Sequence, residues 1–387
     1  MYTLLLAVIY LAFISLGLPD SLLGSWPTIR VDFGVPLSYM GFVSMIISGG
    51  TIISGLMSER LTKKFGTRGG TLVRVLLTAA ALFGFSTAES FWQLCIWGVP
   101  YGLGAGAIDA ALNNYVALNY NSRHMSWLHC FWGVGTIISP YIMSYALAHS
   151  VWTSGYRTVS CMQFGIAAVI LLTLPLWKIN KSAADEAQKS EVLGLGGALR
   201  IRGVPYLLIG FLCYCAAEAT TMLWASSYLE GVRGVSKTRA AAFGSLFFIG
   251  ITAGRFIAGF ISDKLGDNRM IRSGTGLALF GVVLTALPVG VCSMAGFVII
   301  GLGCAPVYPC IIHSTPANFG AKNSQGIIGI QMASAYVGST FMPPLFGLIA
   351  NHISLRLMPL YLAFFLIMLL VMISKTEKAC AARKAGE

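Results

Sequence analysis

Four charged residues stand inside long apolar stretches of the chain: Asp20, Asp109, Glu218 and Arg255. Placing a charge in an apolar layer costs about 2.5–3.5 kcal/mol, so each is a candidate functional group that faces a cavity or a partner. Burial of a carboxyl group favours its neutral form, which allows proton uptake and release near neutral pH. Asp20 and Asp109 are therefore candidate proton carriers, although Asp20, beside a proline, could instead cap an unwound segment. For Glu218 two roles stay open: a further proton carrier, or the ion-pair partner of Arg255.

Polar and aromatic residues accompany two of these acids. Asp109 and Asn113 are four residues apart and share one helix face, with Asn114 next to them. Carboxylate and amide groups suit a hydroxyl-rich solute, because hydroxyls both donate and accept hydrogen bonds. His129 and Trp132 are three residues apart, so the imidazole could share a proton with an acid and the indole could stack on a sugar ring. The alternatives are a helix-bridging hydrogen bond for His129 and core packing for Trp132.

Further candidates for solute contact are aromatic or neutral side chains: Trp26, Trp224, Tyr228, Tyr308, His313 and Gln331. Most of them lie in the second half of the sequence, whereas Asp20 and Asp109 lie in the first. The sequence thus predicts an asymmetric site, in which the first half handles protons and the second supplies aromatic and neutral contacts.

Motifs of enzymes and metal sites are missing from the sequence. It contains no H-E-x-x-H, no G-x-S-x-G and no phosphate-binding loop, and His124 and His129 do not have ligand spacing on one helix face. The 9 cysteines never form C-x-x-C and lie almost all in apolar stretches, which is typical of buried, reduced thiols. We predict neither an enzyme nor a bound cofactor or metal.

Composition identifies the elements that must position these residues. Of 387 residues, 56% are hydrophobic and 10% are charged, against roughly 25% charged in soluble domains. The mean hydropathy of +0.76 excludes a soluble or disordered chain and leaves an all-α membrane protein. A membrane-spanning helix needs about 20 apolar residues. Twelve spans are predicted, numbered in chain order: 3–28, 36–58, 71–88, 91–117, 125–148, 157–178, 202–230, 236–262, 270–289, 291–316, 324–350 and 354–374.

The distribution of cations predicts the orientation of these spans. The net charge is +12, and 19 of the 26 lysines and arginines fall on the side that also holds both termini. By the positive-inside rule this side is cytoplasmic. We therefore expect a multi-pass protein of the cell membrane, cytoplasmic in bacteria or plasma membrane otherwise, with lipid and not nucleic acid as its surroundings.

A repeat relates the two halves of the chain. A polar linker at 179–201 separates six spans in residues 1–178 from six in residues 202–387. Paired motifs recur at offsets near 200: acid-x5-Trp at 20–26 and 218–224, G-L-G at 102–104 and 301–303, and G-x4-P at 135–140 and 338–343. Ordered matches of this kind indicate two parallel six-helix repeats, an architecture that places solute sites between the halves.

The loops after spans 2 and 8 carry a signature in two copies. Its residues are Gly55, Glu59, Arg60, Gly66 and Arg68 in the first copy and Gly259, Asp263, Lys264, Gly266 and Arg269 in the second. With this signature the whole chain resembles the major facilitator superfamily. Carboxylates at such helix ends can bind backbone N–H groups and pair with basic residues, forming a latch that breaks when the cytoplasmic side opens. We assign Glu59, Arg60, Arg68, Asp263 and Lys264 to gating.

Three segments indicate one family within this superfamily. GLPDSLLGSWP (17–27), GLGAGAIDAALNNYV (102–116) and SWLHCFWGVG (126–135) are similar to the fucose permease-like sugar/proton symporters. That resemblance implies that Asp20 and Asp109 serve proton coupling and sugar recognition. Asp109 stands where a glutamate is common in this family, and His129 stands where an asparagine often occurs.

The leading hypothesis is a secondary transporter that imports a monosaccharide or similar polar solute by proton-coupled alternating access, as a monomer without cofactors. A facilitative transporter, Na⁺ coupling and a non-transporting sensor stay open. A drug/proton antiporter is the main alternative, but GVGTIISP (133–140) lacks the Gly-Pro of the usual antiporter signature. The sequence does not choose the solute, the coupling ion, the oligomeric state or the favoured conformation.

Overall fold

The chain is helical throughout the part that the computed structural model describes, residues 2–20, 22–177 and 192–385, where no strand occurs. Twelve predicted spans correspond to helices and keep their numbers below. In chain order these helices are Tyr2–Gly17 continued by Trp26–Asp32, Met40–Leu56, Ser58–Ser86, Phe91–Asn119, Ser122–His149, Trp152–Thr173, Val204–Arg233, Lys237–Leu265, Asp267–Ala286, Gly290–Cys304 continued by Val307–His313, Ala321–Ile349, and Met358–Lys384.

Length and hydropathy support membrane crossing. Among the described residues, 7 helical stretches are long and apolar enough to span a membrane, and the last of them, 321–384, runs over spans 11 and 12. Two shorter apolar helices, Thr3–Gly17 and Met40–Leu56, are spans 1 and 2.

Two compact units divide the chain. The first consists of Met1–Tyr115 and Phe131–Val192, and the second of Val116–Cys130 and Leu193–Glu387. The end of span 4 and the beginning of span 5 therefore belong to the second unit, beyond the boundary that the sequence suggests. Residues 178–191, most of the predicted linker, lie outside the described residues, and Gly194–Arg200 forms a short helix. The predicted domain boundaries stay predictions.

Span 1 is broken in the first unit, and the break positions Asp20. The helix ends at Gly17, turns through Leu18 to Asp20, and resumes at Trp26. Pro19 explains the break, because proline has no N–H to donate and disfavours helical geometry in the preceding residue. The buried Trp26 anchors the second part of the span edge-on against Phe91.

Glycines set the closest helix contacts, and they do so in the same way in both units. A Cβ atom on Gly135 would lie under 3.0 Å from the carbonyl oxygen of Ile14, which brings span 5 onto span 1. In the second unit, a Cβ atom on Gly338 would lie equally close to the carbonyl oxygen of Leu212, which brings span 11 onto span 7. The two G-x4-P copies thus serve the same backbone contact, as the predicted repeat requires.

The G-L-G copies repeat the pattern at another pair of spans. Gly102 approaches the carbonyl oxygen of Ile47, so that span 4 lies on span 2, and Gly301 approaches that of Phe247, so that span 10 lies on span 8. Any side chain at these positions would push the paired helices apart. Backbone packing therefore follows the sequence repeat inside each unit.

Candidate functional site

Asp20 is held at the break of span 1 by two neutral donors. Its Oδ2 atom accepts a hydrogen bond of 2.8 Å from Nε1 of Trp132 in span 5, and the Tyr101 hydroxyl in span 4 is a second partner. The Asp20 side chain is exposed, and it borders a cavity of about 190 Å³ in the first unit. Ser44, Ser48 and Tyr156 also line this cavity. A cavity of this size, lined in part by hydroxyl groups, admits several water molecules, so water can reach the carboxyl group.

Asp109 lies deeper in the same unit, on span 4. Its side chain is buried, and its Oδ1 atom accepts a hydrogen bond of 2.6 Å from the Asn113 amide one turn later. Asn114 is buried beside this pair. Asp109 is also close enough to Asp20 to interact with it electrostatically. The first unit thus brings together the two acids and the amide that the sequence singles out.

Glu218 and Arg255 form an ion pair in the second unit, one of the two roles that the sequence leaves open for Glu218. Nη2 of Arg255 lies 3.2 Å from Oε1 of Glu218, and the exposed fractions of the two side chains are 3% and 14%. The Tyr214 hydroxyl lies between two acceptors, Glu218 and the Cys304 carbonyl oxygen at 3.0 Å, and its single proton can be donated to one of them at a time. An arginine this close stabilises the ionised carboxylate.

An aromatic group adjoins this ion pair. The His129 ring meets the Tyr308 ring edge-on, with centroids 4.7 Å apart, and the His129 carbonyl oxygen lies 3.5 Å from Nη1 of Arg255. The Tyr308 ring also contacts the tilted Phe211 ring, with centroids 4.8 Å apart, and its hydroxyl donates to the Met332 sulfur. Of the predicted solute contacts, His129 and Tyr308 are thus adjacent in the structure.

Five other residues predicted to contact the solute form hydrogen bonds or ring contacts with protein groups of their own units: Trp26, Trp224, Tyr228, Gln331 and His313. Trp224 donates to the Pro343 carbonyl, and Gln331 accepts from Thr315. Tyr228 donates to the Thr285 carbonyl, and it lies ten residues after Glu218, about 15 Å along the helix. These contacts join neighbouring spans, and the structure does not bring Tyr228 to the ion pair.

The predicted gating residues lie at helix ends after spans 2 and 8. Gly66 and Gly266 have φ values of 69° and 77°, backbone conformations that suit glycine, so both copies of the loop signature turn the chain in the same way. Glu59 is buried and pairs with Lys63 at 3.2 Å. Arg60, Arg68 and Lys264 are exposed.

Asp263 binds a residue that the sequence reasoning missed. Its carboxylate accepts the backbone N–H of Arg123 at 3.0 Å and pairs with the Arg123 guanidinium at 3.0 Å. In the sequence analysis, Arg123 is only one of the 19 basic residues that predict which side of the membrane is cytoplasmic. Asp263 thus has the kind of contacts that the predicted latch requires, with Arg123 at the beginning of span 5 as its basic partner, and the gating role stays a prediction.

Tyr101 is the other residue that sequence reasoning missed. It stands directly before the G-L-G motif, eight residues before Asp109, and its hydroxyl reaches Asp20. A tyrosine among small residues in an apolar span was the available signal, since a buried hydroxyl needs a hydrogen-bond partner.

The fold and this arrangement of intramembrane acids define a multi-pass membrane transporter of the two-repeat, twelve-helix class. The Major Facilitator Superfamily profile matches residues 4–313, and the chain belongs to this family. The predicted family, the all-α fold with twelve helices and its two repeated halves are thereby confirmed.

Individual relatives are distant but cover most of the chain. The yeast protein "Bypass of stop codon protein 6" (Saccharomyces cerevisiae) is 24% identical over 392 residues, covering 90% of this chain and 77% of the relative. The "Glucose/galactose transporter" of Brucella abortus is 23% identical over 365 residues, covering 88% and 87%. Among solved structures, a variant of the E. coli fucose:proton symporter FucP has a TM-score of 0.76 at 17% identity, covering 97% of this chain and 98% of that one. The likeness to FucP shows the fold alone.

Proposed function

We propose that this transporter imports a monosaccharide or a similar small polar solute together with protons, by exposing its site alternately to the two sides of the membrane. In this proposal Asp20 and Asp109 carry the proton, and both termini face the cytoplasm. Relatives named for glucose and galactose transport, and a structural neighbour named as a fucose:proton symporter, support a sugar as the solute.

The observation that carries the proposal is the environment of Asp20. The partners that the structure shows for this carboxyl group are neutral donors, Trp132 and Tyr101, and a cavity of about 190 Å³ lies beside it. A carboxyl group held by neutral donors next to water can exist both with and without its proton. An acid that gains and loses a proton in each transport cycle needs both neutral hydrogen-bond donors and access to water.

Solute recognition in the first unit would use the same neighbourhood. The Asp109–Asn113 pair offers a carboxylate and an amide, which together accept and donate hydrogen bonds to sugar hydroxyls. Trp132 offers an indole ring whose N–H is already committed to Asp20. Solute bound at Trp132 would therefore be linked to the protonation state of Asp20 through a single side chain.

The first experiment identifies the solute. Purified protein is screened by thermal shift against sugars, sugar acids, polyols and nucleosides, since a ligand that binds the folded state raises the unfolding temperature. The solute found is then used in proteoliposomes, where uphill accumulation under a pH gradient and counterflow exchange without a gradient are measured separately.

Two variants test the coupling residues. We expect Asp20→Asn and Asp109→Asn to abolish uphill accumulation while counterflow stays measurable, because exchange needs the solute site but no net proton movement. Asp32→Asn is the matched control, since Asp32 also accepts a hydrogen bond from a tryptophan, Trp152 at 2.6 Å, on a short helix of the same unit. Asp32→Asn should accumulate solute like the wild type.

Other outcomes refute the proposal. Normal accumulation in both Asp20→Asn and Asp109→Asn would remove these acids from coupling. Accumulation driven by a Na⁺ gradient and not by a pH gradient would replace the coupling ion. Counterflow without any gradient-driven accumulation in the wild type would make the protein a facilitative transporter, and export of apolar cations would make it a drug antiporter.

A further inference from the structure

His313 closes span 10 in the second unit, at the end where the loop signature lies. Its Nδ1 atom lies 2.7 Å from Oδ2 of Asp267, at the beginning of span 9, and its Nε2 atom lies 3.1 Å from the backbone carbonyl oxygen of Tyr120. The second oxygen of Asp267 accepts the Ser122 hydroxyl at 2.6 Å. We call Tyr120, Ser122, Asp267 and His313 the junction cluster, because it ties the junction of spans 4 and 5 to spans 9 and 10.

Both ring nitrogens of His313 face acceptors. The carbonyl oxygen of Tyr120 has no proton to give, and the Asp267 carboxylate accepts Ser122 on its other oxygen. A neutral imidazole has one N–H and can satisfy only one such acceptor, whereas the imidazolium form donates from both nitrogens. The geometry is therefore complete only when His313 carries the extra proton.

Other titratable groups surround the cluster. Asp263 at the end of span 8 acts on His313 electrostatically and is itself paired with Arg123. His124 lies near Arg123 and Asp263 and meets the Tyr120 ring edge-on. Cys310, one turn before His313, contacts Ser122, and Arg383 and Lys384 bind the Asn318 and Ala317 carbonyls in the next helix. Of the charged groups named here, the carboxylates of Asp267 and Asp263 act on His313 directly.

We infer that His313 is a proton-operated latch of the junction cluster: its imidazolium form holds the junction of spans 4 and 5 against spans 9 and 10, and loss of the proton releases it. Deprotonation leaves one nitrogen lone pair facing either Tyr120 O or Asp267 Oδ2, so one of the two hydrogen bonds is lost and the donor of the other no longer carries a positive charge. The contact is therefore complete below the pH at which His313 titrates and weakens as the pH rises through it.

In the topology of the proposed function, on which this step rests, the junction cluster faces the cytoplasm and has to open for solute release. Each transported proton acidifies the cytoplasm, acid keeps His313 protonated, and the closed junction slows further import. The latch would thus be a feedback control of transport by internal pH, separate from the coupling acids.

Distance measurements between spin labels test the latch without any transport. Labels are attached at Asn121→Cys and Asn268→Cys, two exposed positions on either side of the cluster. Cys161 and Cys292 are replaced by serine, because the other 7 native cysteines are buried. Pulsed electron paramagnetic resonance then gives the populations of short and long distances between about pH 5.5 and about pH 8, the range in which histidine titrates.

In the wild-type background we expect the ratio of long to short distances to rise about tenfold across this range, the effect of losing one hydrogen bond to a charged group. His313→Gln keeps polar atoms but cannot become a cation, so its ratio should be high and independent of pH. His124→Gln is the matched control and should behave like the wild type. Asp267→Asn, which removes the charge that the imidazolium faces, should also lose the pH response and serves if His313→Gln does not fold.

An unchanged distance distribution in the wild type across this range would overturn the inference. So would a wild-type pH response in both His313→Gln and Asp267→Asn, or its loss in His124→Gln alone. The readout does not depend on the solute or on proton coupling. A pH-dependent distance without proton-driven accumulation would refute the proposed function and leave the latch standing. Proton-driven accumulation without a pH-dependent distance would refute the latch and leave the proposed function standing.

Discussion

Adding one methyl group at Gly135 or Gly338 should separate helices that now touch through their backbones. A Cβ atom at either position would lie under 3.0 Å from a carbonyl oxygen of the neighbouring span, whereas ordinary carbon–oxygen contacts begin at about 3.3 Å. The obstacle is backbone, which cannot rotate away as a side chain can. Overpacking of this kind costs about 1–3 kcal/mol, and a rigid obstacle favours the upper end of that range.

Helix propensity alone predicts that a glycine-to-alanine change stabilises a helix, so a loss of stability would have to come from the close contact. Alanine is favoured over glycine in a helix interior by about 1 kcal/mol. Gly135→Ala and Gly338→Ala should therefore lose about 2 kcal/mol of unfolding free energy in net terms. Gly165→Ala in span 6 and Gly276→Ala in span 9 are matched controls, because nothing lies within 4 Å of a Cβ atom there. The controls should keep the propensity gain and be as stable as the wild type or more so.

Thermal unfolding in detergent measures the difference, with a thiol-reactive fluorophore that reports exposure of buried cysteines such as Cys95 and Cys213. The exposed Cys161 and the half-buried Cys292 are first replaced by serine so that they do not contribute background. We expect both tight-contact variants to melt several degrees below both controls, and by similar amounts because the two contacts are repeats of each other. Equal melting temperatures for Gly135→Ala and Gly165→Ala would refute the close approach of spans 1 and 5.

Two further predictions concern the acids. Glu218→Gln should destabilise the protein by about 3–5 kcal/mol, because it leaves the Arg255 guanidinium without its carboxylate. Combining Glu218→Gln with Arg255→Met should recover most of this loss in the same melting assay, and a double variant no more stable than the single one would contradict the pairing. Trp132→Phe and Trp152→Phe each remove one hydrogen bond to an aspartate, and each should lower the unfolding free energy by about 1.5–3 kcal/mol. Only Trp132→Phe should change the pH dependence of solute accumulation. The same pH dependence in both variants would show that Trp132 does not influence the protonation of Asp20.

Local features of the site were predictable because they depend on one helix at a time. The spacing of Asp109 and Asn113 places them on one face, and the structure shows their hydrogen bond at 2.6 Å. The glycines of the loop signature likewise mark where the backbone needs a positive φ, and both Gly66 and Gly266 have one. The spans follow from apolar runs alone, since a bilayer of fixed thickness sets their length.

Contacts between distant segments were not predictable in the same way. Arg123 meets Asp263 across 140 residues, and His313 meets Tyr120 across 193. A basic residue at a helix end satisfies the topology rule whether or not an acid lies opposite, so the sequence gives no reason to choose Arg123. His313 follows Asn114 by 199 residues, close to the repeat offset, but span 10 is interrupted between Cys304 and Val307 and ends at His313, whereas span 4 continues to Asn119.

The repeat therefore conserves backbone contacts and leaves polar chemistry free to diverge. Asp20 and Glu218 occupy equivalent positions, yet Asp20 is held by the indole of Trp132 and Glu218 by the guanidinium of Arg255. At the offset of 203 that relates Gly135 to Gly338, Trp132 corresponds to Ala335, which has no polar atom in its side chain. A guanidinium favours the ionised form of the carboxylate that it faces, whereas an indole N–H can bond to the acid in either protonation state. The two acids therefore share a place in the repeat but differ in their partners, and this difference is our reason to expect proton exchange at Asp20 and not at Glu218.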